Sequence, residues 1–265
     1  MMKKNNLTNW FFITGLAFFL TTGCAPPLDV NPCFEVVCEN DGTCFDGVCF
    51  CPAGFIGLNC ELFDPTQVQA LLNEGITPIE LINANIPLEN LYGMQFEDGL
   101  IFYLNTDDGT GLLAGLNDQT AGAEWGCFGT DIVGVPNLMN IIIPNPETEE
   151  GGRLGDGAAN TDAILMECNQ GSIAASSARS LGPDWYLPSR GELNLMWEIL
   201  ADPDGNGENT GFADPQNLGR FVPETYWSST EGDSDISAWS QNFSNGLQVN
   251  DVKGFEYRVR AVRAF

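Results

Sequence analysis

Six cysteines lie close together near the start of the chain, and their spacing restricts what this part can fold into more than any other sequence feature. They are Cys33, Cys38, Cys44, Cys49, Cys51 and Cys60. A segment of fewer than about 40 residues buries too little surface to be stable without disulfides, a metal or a partner. Cysteines at this density in an exported chain predict a disulfide framework, in which each bridge adds about 2–4 kcal/mol. Six cysteines allow about 15 pairings, and spacing alone does not choose among them.

The first residues have the features of an export signal. Lys3 and Lys4 precede an apolar run from Trp10 to Leu20, which stops at small residues before Cys24. A positive head, an apolar middle and a small-residue end are typical of a secretory signal peptide. The run is too short to cross a bilayer of about 30 Å as a helix. We therefore predict a signal peptide over residues 1–23, with a buried core helix as the alternative.

The stretch TTGC resembles the lipobox of bacterial lipoproteins, although Leu20 lies one place earlier than the leucine of that family. The resemblance implies cleavage before Cys24 and a diacylglycerol on its thiol, whose chains anchor by about 0.8 kcal/mol per buried CH₂. Because the chain has nine cysteines, acylation of Cys24 leaves an even number. We expect an exported lipoprotein at the outer membrane or cell surface, with the membrane as its partner and residues 24–30 as a tether.

Residues 31–61 resemble an EGF-like domain, mainly through the stretch CFCPAGFIGLNC. The family pattern C-x-C-x-x-G-aromatic-x-G-x-x-C is matched by Cys49, Cys51, Gly54, Phe55, Gly57 and Cys60. The resemblance implies three disulfides: Cys33–Cys44, Cys38–Cys49 and Cys51–Cys60. Asp29, Asn31 and Asp46 fit part of the calcium pattern of this family, but Pro32 stands where the family has Glu. A rigid spacer is the plainer interpretation of this module.

Short hydrophobic repeats follow over residues 66–93. Leu71, Leu81 and Leu91 recur at intervals of ten residues, and Thr77 precedes a proline as a helix N-cap does. This pattern predicts three short helical pieces. They form either a spacer or assembly element, or a linker that docks on the main domain.

Residues 94–265 have the length of a single domain and mix strand and helix patterns. The clearest helix, PSRGELNLMWEIL, starts with a capping box formed by Ser189 and Glu192. Four apolar residues then follow at the helical spacing of one buried stripe: Leu193, Met196, Trp197 and Leu200. Successive short strands with polar turns complete the chain.

Five segments of this domain resemble the C-terminal domain of the Lcl collagen-like adhesins. They are GLIFYLNTDDGTGL, DWYLPSRGELNLM, YWSSTE, AWSQNFSNG and YRVRAVRAF, which together span nearly all of residues 94–265. The adhesin version is implicated in binding sulfated glycans. More remotely, WYLPSRGEL and VRAVRAF look like segments of formylglycine-generating enzymes, which have a C-type-lectin-like fold. The resemblance therefore implies an α+β, C-type-lectin-like main domain.

The last two cysteines, Cys127 and Cys168, have two interpretations. In an oxidising compartment the simpler one is a structural disulfide that ties EWGCFG to the end of the AILMEC helix. The alternative is a reactive thiol pair. The cysteines of the formylglycine-generating enzymes do not match these positions.

The charge balance and the lack of histidine exclude several function classes. The chain has 36 Asp and Glu against 10 Lys and Arg, and none of the latter lies between Lys4 and Arg153. Without Lys3 and Lys4 the net charge is 8 − 36 = −28, which repels nucleic acid and anionic lipids. The absence of histidine removes Ser-His-Asp and Cys-His catalysis and His-ligated zinc.

The stretch DPDGNGENTGFAD contains the metal motif that stands out most in the sequence. Its oxygen-bearing residues, Asp202, Asp204, Asn206 and Glu208, match the start of an EF-hand loop, which predicts calcium as a possible cofactor. Position 12, normally a bidentate Glu, is Ala213. The alternative is a surface insertion rich in turn formers.

Four of the basic residues cluster near the C-terminus: Lys253, Arg258, Arg260 and Arg263. Arginine forks match sulfate and carboxylate groups, so this cluster could hold an acidic glycan. The alternative is that these residues pair with the acids of the chain itself.

The sequence favours an envelope-anchored binding protein that acts in adhesion or glycan recognition through residues 94–265. One alternative is an exported enzyme that acts on glycans with paired carboxylates, although no catalytic motif is present. The other is a non-catalytic structural protein of the envelope. A glycan or another surface ligand, and no nucleic acid, is the expected partner.

Overall fold

The helices and strands of this protein form in short segments with clear sequence patterns. The structure is a computed structural model that describes residues 31–138 and 150–265. It is mixed, with 21% helix and 23% strand, as the sequence predicts. The predicted signal peptide, Cys24 and its tether lie outside the described residues.

Two small hairpins build the N-terminal module. Strand β1 (Thr43–Phe45) pairs with β2 (Val48–Phe50), and β3 (Phe55–Ile56) pairs with β4 (Leu62–Phe63). The β1–β2 turn is Asp46-Gly47, where both φ angles are positive, as a tight two-residue hairpin turn requires. Three disulfides hold the module together: Cys33–Cys44, Cys38–Cys49 and Cys51–Cys60. The pairing implied by the EGF-like resemblance is therefore confirmed.

Two α-helices and a 3₁₀ turn occupy the region of hydrophobic repeats. They are α1 (Pro65–Asn73), α2 (Pro78–Asn83) and the 3₁₀ turn Leu88–Asn90. Asp64 caps α1 by accepting hydrogen bonds from two backbone N–H groups, and Thr77 and Glu80 form a capping box on α2. The helices pack onto the main domain, because Gln69 exchanges two hydrogen bonds with the backbone of Gln95 at 2.7 and 3.0 Å.

The main domain contains two sheets. The four-stranded sheet has the spatial order β13 (Val262–Ala264), β7 (Gly111–Gly115), β6 (Gly99–Leu104), β5 (Gln95–Phe96), all antiparallel. The five-stranded sheet has the order β11 (Gln248–Val252), β10 (Ser237–Asn242), β9 (Thr225–Glu231), β12 (Tyr257–Val259), β8 (Thr120–Ala123). Its β9–β12 pair is parallel and its other pairs are antiparallel. The first and last strands of the domain thus belong to one sheet.

Three helices flank these sheets: α3 (Asp156–Glu167), α4 (Ala174–Arg179) and α5 (Arg190–Met196). Helix α5 begins at the predicted capping box, and its stripe residues Leu193, Met196 and Leu200 are buried. It changes at Trp197 into a π-helical turn that runs to Ala201. Trp197 itself is only partly buried and packs against the edge of the core.

The core of the main domain is continuous with that of the module. One hydrophobic cluster contains Phe55 of the module, Val68 and Ile86 of the helical region, and Trp125 and Trp227 of the main domain. The contact is close, because a Cβ on Gly54 would lie only 2.5 Å from the Cδ1 of Ile86. The module and the helices therefore share buried apolar surface with the domain.

A fourth disulfide ties the loop after β8 to the end of α3. It joins Cys127 to Cys168, which are 5.6 Å apart at their Cα atoms. The structural-disulfide interpretation is confirmed. No helix in the described part of the chain is both long and apolar enough to span a bilayer.

Candidate functional site

The predicted basic cluster divides into separate ion pairs, of which the first is fully buried. Lys253 and Glu231 form a salt bridge with no solvent exposure on either side chain. The Lys253 ammonium also donates to the carbonyl of Thr130 at 2.8 Å and lies 4.6 Å from the centre of the Trp125 ring. Burial raises the pKa of Glu231, although hydrogen bonds from Lys253 and the backbone of Ile132 oppose this shift. The pair fixes the loop after β8 against the sheet.

The second group is centred on Asp118, which accepts hydrogen bonds from three side chains. Arg258 donates at 3.0 Å, Arg260 at 2.8 Å and the Tyr226 hydroxyl at 3.0 Å. Arg260 is buried and also donates to the carbonyls of Gly115 and Gly219. Arg258 and Arg260 both reach Asp118 because they are two residues apart at strand β12, so their side chains share a face.

The third pair lies on the other sheet. Arg263, on β13, pairs with Glu97 and lies 5.3 Å from the centre of the Trp185 ring. The structure thus places each of the four basic residues against acids of the chain itself. The prediction that they form one anion site is corrected, because Lys253 and Arg260 are too buried to contact a glycan.

Asp202 and Asp204 of the predicted calcium loop accept hydrogen bonds within the loop. Asp202 is buried and accepts from the backbone N–H groups of Asn206 and Gly207 at 3.1 and 2.9 Å. Asp204 accepts from the Asn206 amide at 3.0 Å. Burial raises the pKa of Asp202, with hydrogen bonds from Gly207 and Asn206 opposing. These contacts are typical of a turn-rich insertion.

No group of three or more Cys, Asp or Glu side chains within residues 31–138 and 150–265 is arranged to hold a metal ion. Calcium binding by Asp202, Asp204, Asn206 and Glu208 stays a prediction. Calorimetry at millimolar calcium tests it, with Asp204→Ala as the matched variant. Heat of calcium binding in the parent that is absent from Asp204→Ala would support a site. The absence of binding heat in both proteins would contradict it.

A concave surface lined by the predicted site residue Arg258 lies where two parallel strands start. It has a volume of about 270 Å³ and is lined by Ala121, Glu224, Thr225, Glu256, Tyr257 and Arg258. We call it the strand-start cavity. It exists because Arg258 of β12 lies opposite Tyr226 of β9 in the parallel pair, so that the residues preceding both strands meet at one edge.

Hydrogen bonds hold the Arg258, Glu224 and Tyr257 side chains of this cavity in position. The Arg258 side chain donates to Glu224 at 2.7 Å as well as to Asp118. Burial alone would lower its pKa, but the hydrogen bonds to Glu224 and Asp118 raise the pKa of Arg258 overall. Tyr257 donates to Asp251 at 3.2 Å. Burial, and then the Asp251 charge, raises the pKa of Tyr257 to about 12, so its hydroxyl remains a donor at neutral pH.

Tyr257, which lines the cavity, contacts two further aromatic rings. The Tyr257 ring centre lies 4.7 Å from that of Trp227 and 5.9 Å from that of Phe255. Trp227 is buried, whereas Phe255 is 47% exposed. Because Phe255 contacts a ring that lines the cavity, its exposed face can pack against the apolar face of a small polar molecule whose hydroxyls are hydrogen-bonded.

A second, larger cavity lies between the helical region and the C-terminal strand. Its volume is about 410 Å³, and Ile79, Phe96 and Phe265 supply apolar lining while Glu97 and Arg263 supply charge. Arg263 is already paired with Glu97, and Thr77, Asp108 and Asp184 supply further polar lining.

Sequence reasoning identified Arg258 but missed Glu224, Glu256 and Tyr257. Glu224 and Arg258 are 34 residues apart, and only the parallel pairing of β9 and β12 brings them together. The strand pattern of YRVRAVRAF was the one signal available, and it does not reveal the partner strand.

A scan against known protein families finds no family that matches this chain, and a comparison with curated proteins finds no relative.

Proposed function

We propose that this protein is an exported, lipid-anchored binding protein of the cell envelope whose main domain recognises a glycan at the strand-start cavity. The observation that carries the proposal is the combination, in one cavity, of two carboxylates, a fixed guanidinium and a tyrosine next to an exposed phenylalanine. Ligand sites commonly combine a few fixed polar groups with aromatic surface on a rigid scaffold. Here the scaffold is a five-stranded sheet.

Export is supported by the covalent framework. Four disulfides in the described residues fit a secreted or surface protein, since such bridges persist in oxidising compartments. The membrane attachment proposed here is acylation of Cys24, which the TTGC stretch motivates. The outer membrane or cell surface is the location that we infer from it.

The charge of the cavity argues for the class of glycan. Glu224 and Glu256 line it, and Arg258 is already paired with Glu224 and Asp118. A sulfated or otherwise anionic sugar would meet uncompensated negative charge. We therefore propose a neutral or amino-sugar glycan, whose hydroxyl or ammonium groups donate to the carboxylates.

We infer that the main domain has a C-type-lectin-like fold. Its mixed helices and mainly antiparallel sheets, with the first and last strands of the domain in one sheet, support this inference. The resemblance of WYLPSRGEL and VRAVRAF to segments of a family with that fold supports it as well.

A glycan array with the mature chain carrying Cys24→Ser, which keeps the protein soluble, tests the proposed ligand. We expect binding to neutral or amino-sugar glycans, and about tenfold or greater weakening in Glu256→Gln, since a hydrogen bond to a charged group contributes about 1.5–3 kcal/mol. Glu208→Gln, which removes one acid from the 202–208 loop, is the matched control and should bind as the parent does.

Two results would contradict this assignment. One is the absence of glycan binding, and the other is binding that Glu256→Gln leaves unchanged. Hydrolysis of a bound glycan would instead support the carboxylate-dependent enzyme.

A further inference from the structure

One face of the β1–β2 hairpin is apolar and exposed. In this pair Phe45 lies opposite Val48. Because side chains alternate along a strand, Cys44 and Cys49 point to the disulfide-bonded side, whereas Phe45, Val48 and Phe50 point away from it. These three are 71%, 59% and 60% exposed. We call them the hairpin face.

The hairpin face is contiguous. The ring centres of Phe45 and Phe50 are 6.2 Å apart in an edge-to-face contact, and Val48 is the cross-strand neighbour of Phe45. Single exposed apolar residues are ordinary, but adjacent large ones mark an interaction surface. The same module also exposes Phe34 and Val37, at 81% and 74%.

The chain that precedes the described residues joins the module beside this hairpin. A Cβ on Gly47, at the hairpin tip, would lie 3.4 Å from the carbonyl oxygen of Pro32, and the Cys33–Cys44 disulfide holds this segment to β1. Residues 25–30 separate the module from Cys24. The eight peptide steps from Cys24 to Pro32, which lies beside the hairpin tip, span at most about 29 Å when fully extended, at about 3.3–3.6 Å per residue. A lipid on Cys24 would therefore hold the hairpin tip within that distance of the membrane.

The charge of the module indicates which kind of lipid surface it can approach. Residues 31–62 contain no Lys or Arg. The acidic residues of this stretch are Glu35, Glu39, Asp41, Asp46 and Glu61. An anionic membrane would repel such a module, whereas zwitterionic headgroups would not.

We propose that the hairpin face docks onto the zwitterionic lipid surface to which the protein is anchored, with Phe45, Val48 and Phe50 buried at the headgroup and acyl-chain boundary. This inference rests on the proposed acylation of Cys24. Apolar side chains of surface-bound segments reach about 5–10 Å into that boundary. These three side chains would add apolar contact with the bilayer to that of the lipid anchor. Docking would also fix the height of the main domain above the membrane.

Tryptophan quenching on the acylated mature protein in phosphatidylcholine vesicles tests the proposal. Phe50→Trp places an indole in the hairpin face, and we expect brominated acyl chains to quench its emission relative to the parent protein, whose own tryptophans supply the background. The matched control is Val133→Trp, at an exposed position of the main domain, whose emission should not change. Adding Phe45→Ser and Val48→Ser to Phe50→Trp should abolish the quenching while the protein still floats with the vesicles.

The lipid composition supplies an independent readout. Replacing half of the phosphatidylcholine by phosphatidylglycerol should reduce the quenching at low ionic strength, and added salt should restore it, because salt screens the repulsion. A rise in quenching with phosphatidylglycerol would contradict the zwitterionic surface.

The outcomes separate docking from anchoring. If the protein carries the lipid and floats with vesicles, but the indole at position 50 is not quenched or is quenched no more than the control, docking is wrong and the anchor stands. If mass spectrometry finds no lipid on Cys24 and the protein does not float, the proposed anchor fails and the docking inference fails with it.

Discussion

At the scale of single residues, Glu192 is a strongly perturbed ionisable group of the main domain. Its carboxyl is fully buried and accepts hydrogen bonds from the backbone N–H groups of Ser189 and Gly155 at 2.7 and 2.9 Å, and from the Tyr186 hydroxyl at 3.3 Å. Burial raises its pKa from 4.5 to about 7, more than these hydrogen bonds lower it. The capping group of α5 is therefore also a buried acid that titrates near neutral pH.

This shift predicts a pH-dependent stability. Because the pKa of Glu192 is higher in the folded state than in the unfolded state, the folded state binds the proton more tightly. The stability that this tighter proton binding contributes is about 3 kcal/mol. It is fully present below about pH 4.5 and is lost as the pH rises to about 7. Urea unfolding of the parent and of Glu192→Gln across this range measures it. The difference between the two curves should vary with pH, and parallel curves would refute the prediction.

Asp118 supplies a second prediction at this scale. Asp118→Ala leaves the buried Arg260 and the partly buried Arg258 without their shared carboxylate, so we expect a loss of about 3–5 kcal/mol in unfolding free energy. Glu224→Ala removes only the exposed partner of Arg258 and should cost about 0–1 kcal/mol. Denaturant unfolding of both variants checks this. Equal losses of unfolding free energy in the two variants would mean that burial does not determine how much each ion pair stabilises the fold.

At the scale of elements, the Cys127–Cys168 disulfide controls how α3 is attached to the loop after β8. The bridge closes a loop with a sequence separation of 41. In the chain-entropy model, removing a disulfide that closes a loop of this size lowers the free energy of unfolding by about 4 kcal/mol. We expect the double variant Cys127→Ser, Cys168→Ser to unfold at lower denaturant with the three module bridges intact. Unchanged stability would show that other contacts already hold the loop.

Elements with local signals were predictable from the sequence, whereas their partners were not. The capping boxes of α2 and α5 involve residues three positions apart, so their pattern is visible in the chain. The pairing of Arg260 with Asp118, which is 142 positions away, depends on which strands become neighbours. The predicted basic cluster failed for this reason, because β12 and β13 belong to different sheets although they are adjacent in sequence. The strand-start cavity could not be predicted for the same reason, because it forms only where β9 and β12 become neighbours.

At the scale of the whole molecule, the shared core predicts cooperative unfolding. Ile86 is buried and packs against Gly54 of the module, and both lie near Val68 of α1. We expect calorimetry of the mature chain to show one transition rather than separate ones for the module and the domain. Ile86→Ala should lower that single transition, with a cost of about 2–5 kcal/mol. Two resolved transitions, only one of them shifted by the variant, would contradict this view.

The disulfides of the module also have a mechanical consequence. If the protein is held by lipid at one end and by a ligand at the other, tension passes through residues 31–61 before it reaches the sheets. The three bridges close loops with sequence separations of 11, 11 and 9, so little chain within the module can lengthen under load. The module then acts as a nearly inextensible link. The contact between Gly54 and Ile86, where the link packs against the helical region, is then a place at which pulling would separate the two.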